Sequence, residues 1–199
     1  ATLSLMGSAF VISSLFGVAL GALAALSRQR RRWLDGLISN GALLLYGTPP
    51  FWLAMLLIVL FSVKLDWLPA FGMQTVAADL SGFAWLGDRL RHLVLPCLSL
   101  SFLFLALYVH LTRAATLEAL QQEHVYTARA KGLAPSRIVF AHVLRNALLP
   151  VVTFAGLQLG QLASGALLIE VVYSWPGIGR LMYDALSQRD YSVLLGGFL

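Results

Sequence analysis

Four long stretches of this sequence carry no Asp, Glu, Lys or Arg and consist mainly of apolar residues. They cover residues 2–26, 36–63, 93–112 and 146–169, and a fifth apolar run starts near Tyr191. An α-helix of about 20 such residues crosses the roughly 30 Å hydrocarbon core of a bilayer. The pattern therefore predicts an all-α, polytopic transmembrane helical bundle with four complete spans and the start of a fifth.

Composition supports a membrane location. Of the 199 residues, 59% are hydrophobic and 12% are charged, whereas soluble domains carry roughly 25% charged residues. The single cysteine, Cys97, excludes a disulfide within the chain. Because residue 1 is Ala and the last apolar run stops after a few residues, we expect 1–199 to be a fragment of one transmembrane domain, lacking N-terminal and C-terminal parts.

The basic residues predict the orientation of the spans. Nine of the 14 Lys and Arg residues fall in 27–35 and 113–145, and the other five fall on the opposite side. Short cytoplasmic loops carry an excess of Lys and Arg. We therefore expect 27–35 and 113–145 to be cytoplasmic and residue 1 to lie outside, with basic loops beside anionic lipid rather than nucleic acid.

A polar stretch, EHVYTARAKGLAPSRIVFAHVLRNALLP, lies between the third and fourth apolar stretches. Good helix formers without Gly or Pro predict a helix from Thr116 to Lys131. Gly132 is typical of the left-handed residue that ends a helix, and Pro135 is typical of the first turn of the next one. Ala128, Ala130 and Gly132 are small, so another protein's surface can approach closely.

Several segments resemble one family along nearly the whole chain. YTARAKGL followed by HVLRNALLP is similar to the cytoplasmic EAA loop of ATP-binding-cassette importer permeases, in the dipeptide, oligopeptide and nickel branch with the MetI-like fold. The same branch is resembled by four further segments: FSVKLDWLPAFG, RHLVLPCLSL, LTRAATLE and IEVVYSWPGIGRLMYDALSQRDY. The general pattern has Glu six residues before the Gly, where this chain has Tyr126, so no role of that Glu is carried over.

The resemblance implies a permease subunit of an ATP-driven, binding-protein-dependent importer of di- or oligopeptides in a bacterial inner membrane. It implies a homologous second permease subunit, two ATPase subunits and an extracytoplasmic substrate-binding protein as partners. ATP and Mg would be bound by the ATPases, with no cofactor and no enzyme activity in this chain. The implied ATPase-coupling residues are Thr127, Ala128, Arg129, Ala130, Lys131, Gly132 and Leu133.

The residues also bear on other classes of protein. An ATP-independent secondary transporter or channel subunit is expected to carry ionisable residues in mid-span, and the four apolar stretches contain no acidic or basic residue apart from His110, near the inner end of its span. A solvated connecting loop and a purely structural membrane subunit stay open. A DNA-reading helix-turn-helix is disfavoured because apolar spans adjoin both ends of the polar stretch. Ser164 lacks the Gly two positions earlier that a protease nucleophile would have.

Two sets of polar or helix-breaking residues lie within the apolar stretches. Thr48, Pro49 and Pro50 follow Gly47 near the middle of the second stretch, where proline must kink or open a helix. They either line the translocation path or form a kink that serves helix packing. Gln158 and Gln161 face protein or water, because an unpaired amide in hydrocarbon is costly, and either bond another helix or contact substrate.

The outer segment YSWPGIGR contains Trp175, Pro176 and Gly177. It is interpreted either as an interfacial stretch anchored by Trp175 or as a wall of the outer vestibule beneath the binding protein. The four histidines are far apart in sequence and are expected at different depths, without a metal-ligand spacing. We therefore expect no metal site in the chain.

Overall fold

The computed structural model describes residues 1–28, 31–75 and 81–198, without the side chains of residues 161–165 and 198, and every regular element in these ranges is helical. The helices are α1 (Thr2–Ser27), α2 (Arg32–Gly47), α3 (Pro50–Leu57), α4 (Gly82–Ala119), α5 (Glu123–Ala130), α6 (Pro135–Arg137), α7 (Arg145–Val172), α8 (Ile178–Gln188) and α9 (Tyr191–Phe198). Two π-helical segments extend α3 and join α6 to α7, over Ile58–Lys64 and Ile138–Leu144. The predicted all-α class is confirmed.

Three helical stretches of the described residues are long and apolar enough to cross a membrane: Thr2–Ser27, Gly82–Ala119 and Pro135–Gly160. α2 and α3 reach that length only when they are counted together as one span. The number of complete spans therefore stays a prediction. A new helix, α9, does begin at Tyr191, where the sequence places the start of a fifth apolar run.

The second apolar stretch breaks where its prolines occur. α2 ends at Gly47, and α3 starts with Pro50 in its first turn. Pro49 has extended backbone angles, φ −58° and ψ 132°, which proline imposes on the residue before it. The predicted break in the helix at this point is confirmed.

α4 is longer than the span predicted from the sequence. It has 38 residues with Pro96 inside it, which at 1.5 Å per residue gives a length of about 57 Å. The helix therefore starts at Gly82, well before the predicted span 93–112. Asp88 in this part of α4 is not simply solvated, because it accepts hydrogen bonds from the backbone N–H and the hydroxyl of Thr75, at 2.8 and 2.6 Å.

The chain forms two compact units, one of Ala1–Val11, Thr48–Ser101 and Gln161–Leu199, and the other of Ile12–Gly47 and Phe102–Gly160. Tyr173 is central to the first unit. Its buried hydroxyl donates to the carbonyl of Ala54 at 3.1 Å and lies 2.8 Å from the hydroxyl of Ser99, and its carbonyl accepts from the N–H of Gly72. One side chain thus connects α3, α4 and the end of α7.

In the second unit, two glycines of α1 let it pack closely on α4. A Cβ at Gly17 would overlap the Cβ of Tyr108, and one at Gly21 would lie 2.6 Å from the carbonyl of Val109 and 2.8 Å from the Cβ of Thr112. Neither space can hold a side chain without moving backbone. Gly17 and Gly21, four positions apart, therefore allow α1 to approach α4 closely, as small residues at this spacing do between membrane helices.

Candidate functional site

The turn after α5 has the conformation that the sequence predicts. Gly132 has φ +73°, a left-handed value that glycine adopts at little cost. Its N–H donates to the carbonyl of Arg129 at 2.9 Å, and the N–H of Leu133 donates to the carbonyl of Ala128 at 3.3 Å. These two bonds define a Schellman cap. The cap fixes the direction in which the chain leaves α5.

The helix itself begins later than predicted. α4 ends at Ala119, a turn covers residues 120–122, and α5 starts at Glu123, so the prediction of one helix from Thr116 to Lys131 is wrong. The break contains neither Gly nor Pro. It turns the buried side chains of Val125 and Ala128 onto a shared apolar cluster, so packing overrides the local preference for helix.

That cluster joins α5 to the ends of both long helices. Its buried members are Ala119 of α4, Val125 and Ala128 of α5, Ile138 and Val143 of the π-helical segment, and Ala147 of α7. Leu133, the residue after the glycine, packs against the same cluster. The inner face of α5 is therefore held by apolar contacts at both ends of the segment.

The outer face of α5 and its turn is exposed. Of the seven predicted coupling residues, five are exposed: Thr127, Arg129, Ala130, Lys131 and Gly132. Ala128 is only 4% exposed and Leu133 is half-buried, so these two support the helix from below instead of offering a surface. Tyr126, which occupies the family's Glu position, is 57% exposed and lies 6.0 Å from the guanidinium of Arg129.

Two histidines meet behind α5. The rings of His124 and His142 have centroids 6.3 Å apart, so the prediction that all four histidines are separate is wrong for this pair. Nε2 of His124 lies 3.0 Å from the side-chain nitrogen of Asn146 and 3.3 Å from the carbonyl of His142. An Nε2 without a hydrogen accepts from the Asn146 amide, whereas an Nε2 that carries a hydrogen donates to the carbonyl of His142. Either state ties α5 to the start of α7.

An ion pair fixes the start of α2 to α4. Nε and Nη2 of Arg113 donate to the two carboxylate oxygens of Asp35 at 2.5 and 2.7 Å, and Ser39 donates to the same carboxylate at 3.2 Å. The side chains are 25% and 11% exposed. Such a two-pronged arginine–carboxylate contact fixes orientation as well as distance.

The predicted path residues are separate in the chain, and the structure describes only some of them fully. Thr48, Pro49 and Pro50 lie at the break between α2 and α3. Gln158 is fully buried, yet neither polar atom of its amide has a hydrogen-bond partner among the described residues. The predicted bond from Gln158 to another helix is therefore absent there. The side chain of Gln161 lies outside the described residues.

The outer segment is organised by a residue that the sequence analysis did not select. Glu170 is fully buried at the end of α7, and its Oε2 accepts from the backbone N–H of Arg180 in the first turn of α8, at 3.1 Å. A Cβ at Gly177 would overlap this carboxylate, and one at Gly179 would lie 2.9 Å from Oε2. The sequence signal for this contact was a single acidic residue at the end of an apolar span, followed by two glycines.

The three predicted outer residues divide into one buried and two that line a cavity. Trp175 is 1% exposed, so its ring packs inside the protein, and its role as an interfacial anchor stays a prediction. Pro176 and Gly177 line an open cavity of about 560 Å³ with Thr2, Arg180 and Asp184. A role of this segment in the vestibule stays a prediction.

The described ranges contain no group of three or more His, Cys, Asp or Glu side chains placed to hold a metal ion. His92 lies 2.9 Å from the carbonyl of Asp88 through Nδ1 and 3.6 Å from the Asp88 carboxylate. These are contacts within one helix. They are typical of a histidine used for packing.

Comparison with known families decides the class of the protein. Residues 17–199 match the family described as "Binding-protein-dependent transport system inner membrane component". The chain belongs to this family. As a member of the binding-protein-dependent permeases it is a component of the inner membrane, in agreement with its apolar helices.

Relatives within the permease family carry names of peptide transport systems. The chain is 43% identical to the "Di/tripeptide transport system permease protein DppB" of Pseudomonas aeruginosa and 40% identical to the "Dipeptide transport system permease protein DppB" of Escherichia coli K12, with 100% of the chain and 63% of each relative covered. It is 42% identical to the "Glutathione transport system permease protein GsiC" of Escherichia coli K12, with 97% and 58% covered. The chain spans about three fifths of the length of these relatives.

Proposed function

We propose that the chain is a membrane-spanning part of a permease subunit of an ATP-driven, binding-protein-dependent importer of di- or oligopeptides. In this proposal it forms half of the translocation path, and a homologous permease subunit forms the other half. Two ATPase subunits bind ATP and Mg, and an extracytoplasmic binding protein delivers the peptide. This chain performs no chemistry.

The observation that carries the proposal is the division of α5 into two faces. The inner face is packed on the cluster that contains Ala119 of α4 and Ala147 of α7. The outer face is exposed and carries Thr127, Arg129 and Lys131. A partner that grips the outer face and moves would displace both long helices, because the apolar cluster is close-packed and transmits movement. This is how ATPase closure would reach the spans in alternating access.

Gly132 offers a test that separates coupling from folding. Its φ of +73° is tolerated by Asn but is strongly unfavourable for a β-branched residue. We expect Gly132→Val in the full-length permease to abolish ATP-dependent peptide uptake while the protein still inserts and pairs with its partner permease. Gly132→Asn, the matched control, should retain uptake. Wild-type uptake by the Gly132→Val transporter would overturn the coupling role.

The buried amide of Gln158 is the basis for proposing that this part of α7 lines the translocation path. Leaving a buried amide unpaired costs about 1–3 kcal/mol for each group, and both amide atoms of Gln158 are unpaired within the described residues. Water reaching Gln158 in another transport state would satisfy them. Together with Thr48, Pro49 and Pro50 at the helix break, Gln158 is proposed to line the path. Cysteine labelling at Thr48 tests whether the helix break lines the path. An accessibility at Thr48 that does not change over the ATP cycle would contradict this assignment.

A further inference from the structure

A basic cavity of about 830 Å³ opens in the second unit, beside α5. Four arginines line it: Arg28 after α1, Arg32 at the start of α2, Arg113 on α4 and Arg129 on α5. Asp35 is the acidic residue of its lining. We propose that this cavity binds the phosphate headgroup of an anionic phospholipid.

The charge of the cavity is only partly compensated within the chain. The charge of Asp35 is paired with Arg113, which donates two short hydrogen bonds to its carboxylate. Arg28, Arg32 and Arg129 make no ion pair with any residue that the structure describes. Three of the four arginines that line the cavity thus have no ion-pair partner among residues 1–28, 31–75 and 81–198. Guanidinium groups bind phosphate oxygens through pairs of parallel hydrogen bonds, which makes phosphate a well-matched ligand.

The walls of the cavity are suited to a lipid more than to a free ion. Leu26, Leu117 and Leu120 line it next to the arginines, so the site has both a charged and an apolar surface. Trp33, adjacent to Arg32, is 65% exposed, and exposed tryptophans are enriched at the level of lipid headgroups. A phosphodiester with glycerol and acyl chains satisfies both surfaces.

The location of the cavity also favours an anionic phospholipid as its ligand. The cavity lies where α1 ends and α2 begins, and the excess of basic residues in 27–35 puts this end at the cytoplasmic surface. The cytoplasmic leaflet attracts basic residues by about 1 kcal/mol each. Because Arg129 stands on α5, a lipid held here would join the 27–35 loop to the proposed coupling helix. The site rests on the orientation of the chain and not on the coupling role itself.

Native mass spectrometry of the assembled transporter tests the site. The full-length permease, its partner permease and the ATPases are purified in mild detergent and incubated with phosphatidylglycerol. Arg28→Gln/Arg32→Gln removes two cavity arginines, whereas Arg31→Gln, an exposed residue of the same loop outside the cavity lining, is the matched control. We expect the double variant to bind the lipid about 25-fold more weakly, about fivefold for each arginine, and Arg31→Gln to bind it as the wild type does.

Three results would overturn the proposal. Equal loss in Arg31→Gln and the double variant would mean that only the total charge matters. Displacement of the lipid by inorganic phosphate at equal concentration would identify a free anion as the ligand. Binding of the lipid to the two permeases purified without the ATPases, but not to the full assembly, would identify an ATPase surface as the occupant. Because lipid binding is measured without ATP or peptide, these results are independent of the uptake test on Gly132.

Discussion

The carboxylate of Asp35 and the guanidinium of Arg113 are 78 positions apart in the sequence and share two hydrogen bonds of 2.5 and 2.7 Å. The pair connects the first turn of α2 to α4, six residues before α4 ends. It therefore fixes the helix that leads into α5. Removal of either partner leaves the other as a mostly buried charge without its counter-ion.

This pair yields a prediction for stability. Asp35→Asn or Arg113→Gln should each lower the free energy of unfolding by about 1–3 kcal/mol, the cost of a buried polar group left unpaired, because solvent still reaches part of both side chains. The double variant should lose less than the sum of the two, because the partner left unpaired has gone as well. Thermal unfolding of the purified permease measures all three, with Arg31→Gln as the unaffected control. Strictly additive losses would mean that the pair contributes no interaction energy.

The buried carboxylate of Glu170 makes a prediction about the outer segment. Gly177→Ala puts a methyl group where the Glu170 carboxylate lies, so α8 should lose its contact with the end of α7 and become sensitive to protease. Gly41→Ala, at a position with open space around it, should leave protease resistance unchanged. Adding Glu170→Ala to Gly177→Ala should restore part of the resistance by removing the overlap. No recovery in the double variant would contradict the proposed conflict.

The close packing of α1 on α4 predicts a difference between two glycines of one helix. Gly17→Val must displace Tyr108, and overpacking of this kind typically costs 1–3 kcal/mol. Gly7→Val in the same helix meets nothing within 4 Å. The temperature of unfolding should therefore fall for Gly17→Val and stay near that of the wild type for Gly7→Val. An equal fall in both would show that loss of glycine itself, and not the contact with α4, is responsible.

The bond between His124 and Asn146 predicts an effect on how firmly α5 is held. Asn146→Ala removes the 3.0 Å contact to Nε2 of His124, while the apolar cluster around Val125 is unchanged. Amide hydrogens of α5 should exchange faster in this variant, because a local contact to α7 is lost. Ser136→Ala, an exposed residue of α6, is the control. Unaltered exchange in α5 would mean that the cluster alone holds the helix.

The sequence was informative where one residue type dictates local geometry. Long apolar stretches required helices, Pro49 and Pro50 required a break, and Gly132 followed by Leu133 required a left-handed cap. These features depend on neighbours in the chain. The same local reasoning failed for the stretch 116–131, where packing of Val125 and Ala128 ends a helix that propensity alone would continue.

Long-range contacts were beyond the reach of the sequence. Asp35 and Arg113, or His124 and His142, meet only because helices pack, and nothing in the spacing of these residues indicates their partners. Glu170 was visible as an acid at the end of an apolar span, but its contact with Gly177 depends on the chain reversing through YSWPG. Which face of the coupling segment is exposed also depends on tertiary contacts, so Ala128 was grouped with residues from the opposite face.

Disulfide crosslinking between α5 and an ATPase subunit tests the proposed coupling. The native Cys97 is buried and unpaired, and its replacement by Ala gives a background for single cysteines at Thr127, on the exposed face, and at Val125, on the buried face. With a cysteine on the ATPase surface that faces the membrane, we predict a crosslink to position 127 that changes in yield when ATP is bound, and none to position 125. Absence of any crosslink to position 127, or labelling of position 127 by an impermeant reagent from the periplasmic side of intact cells, would contradict it.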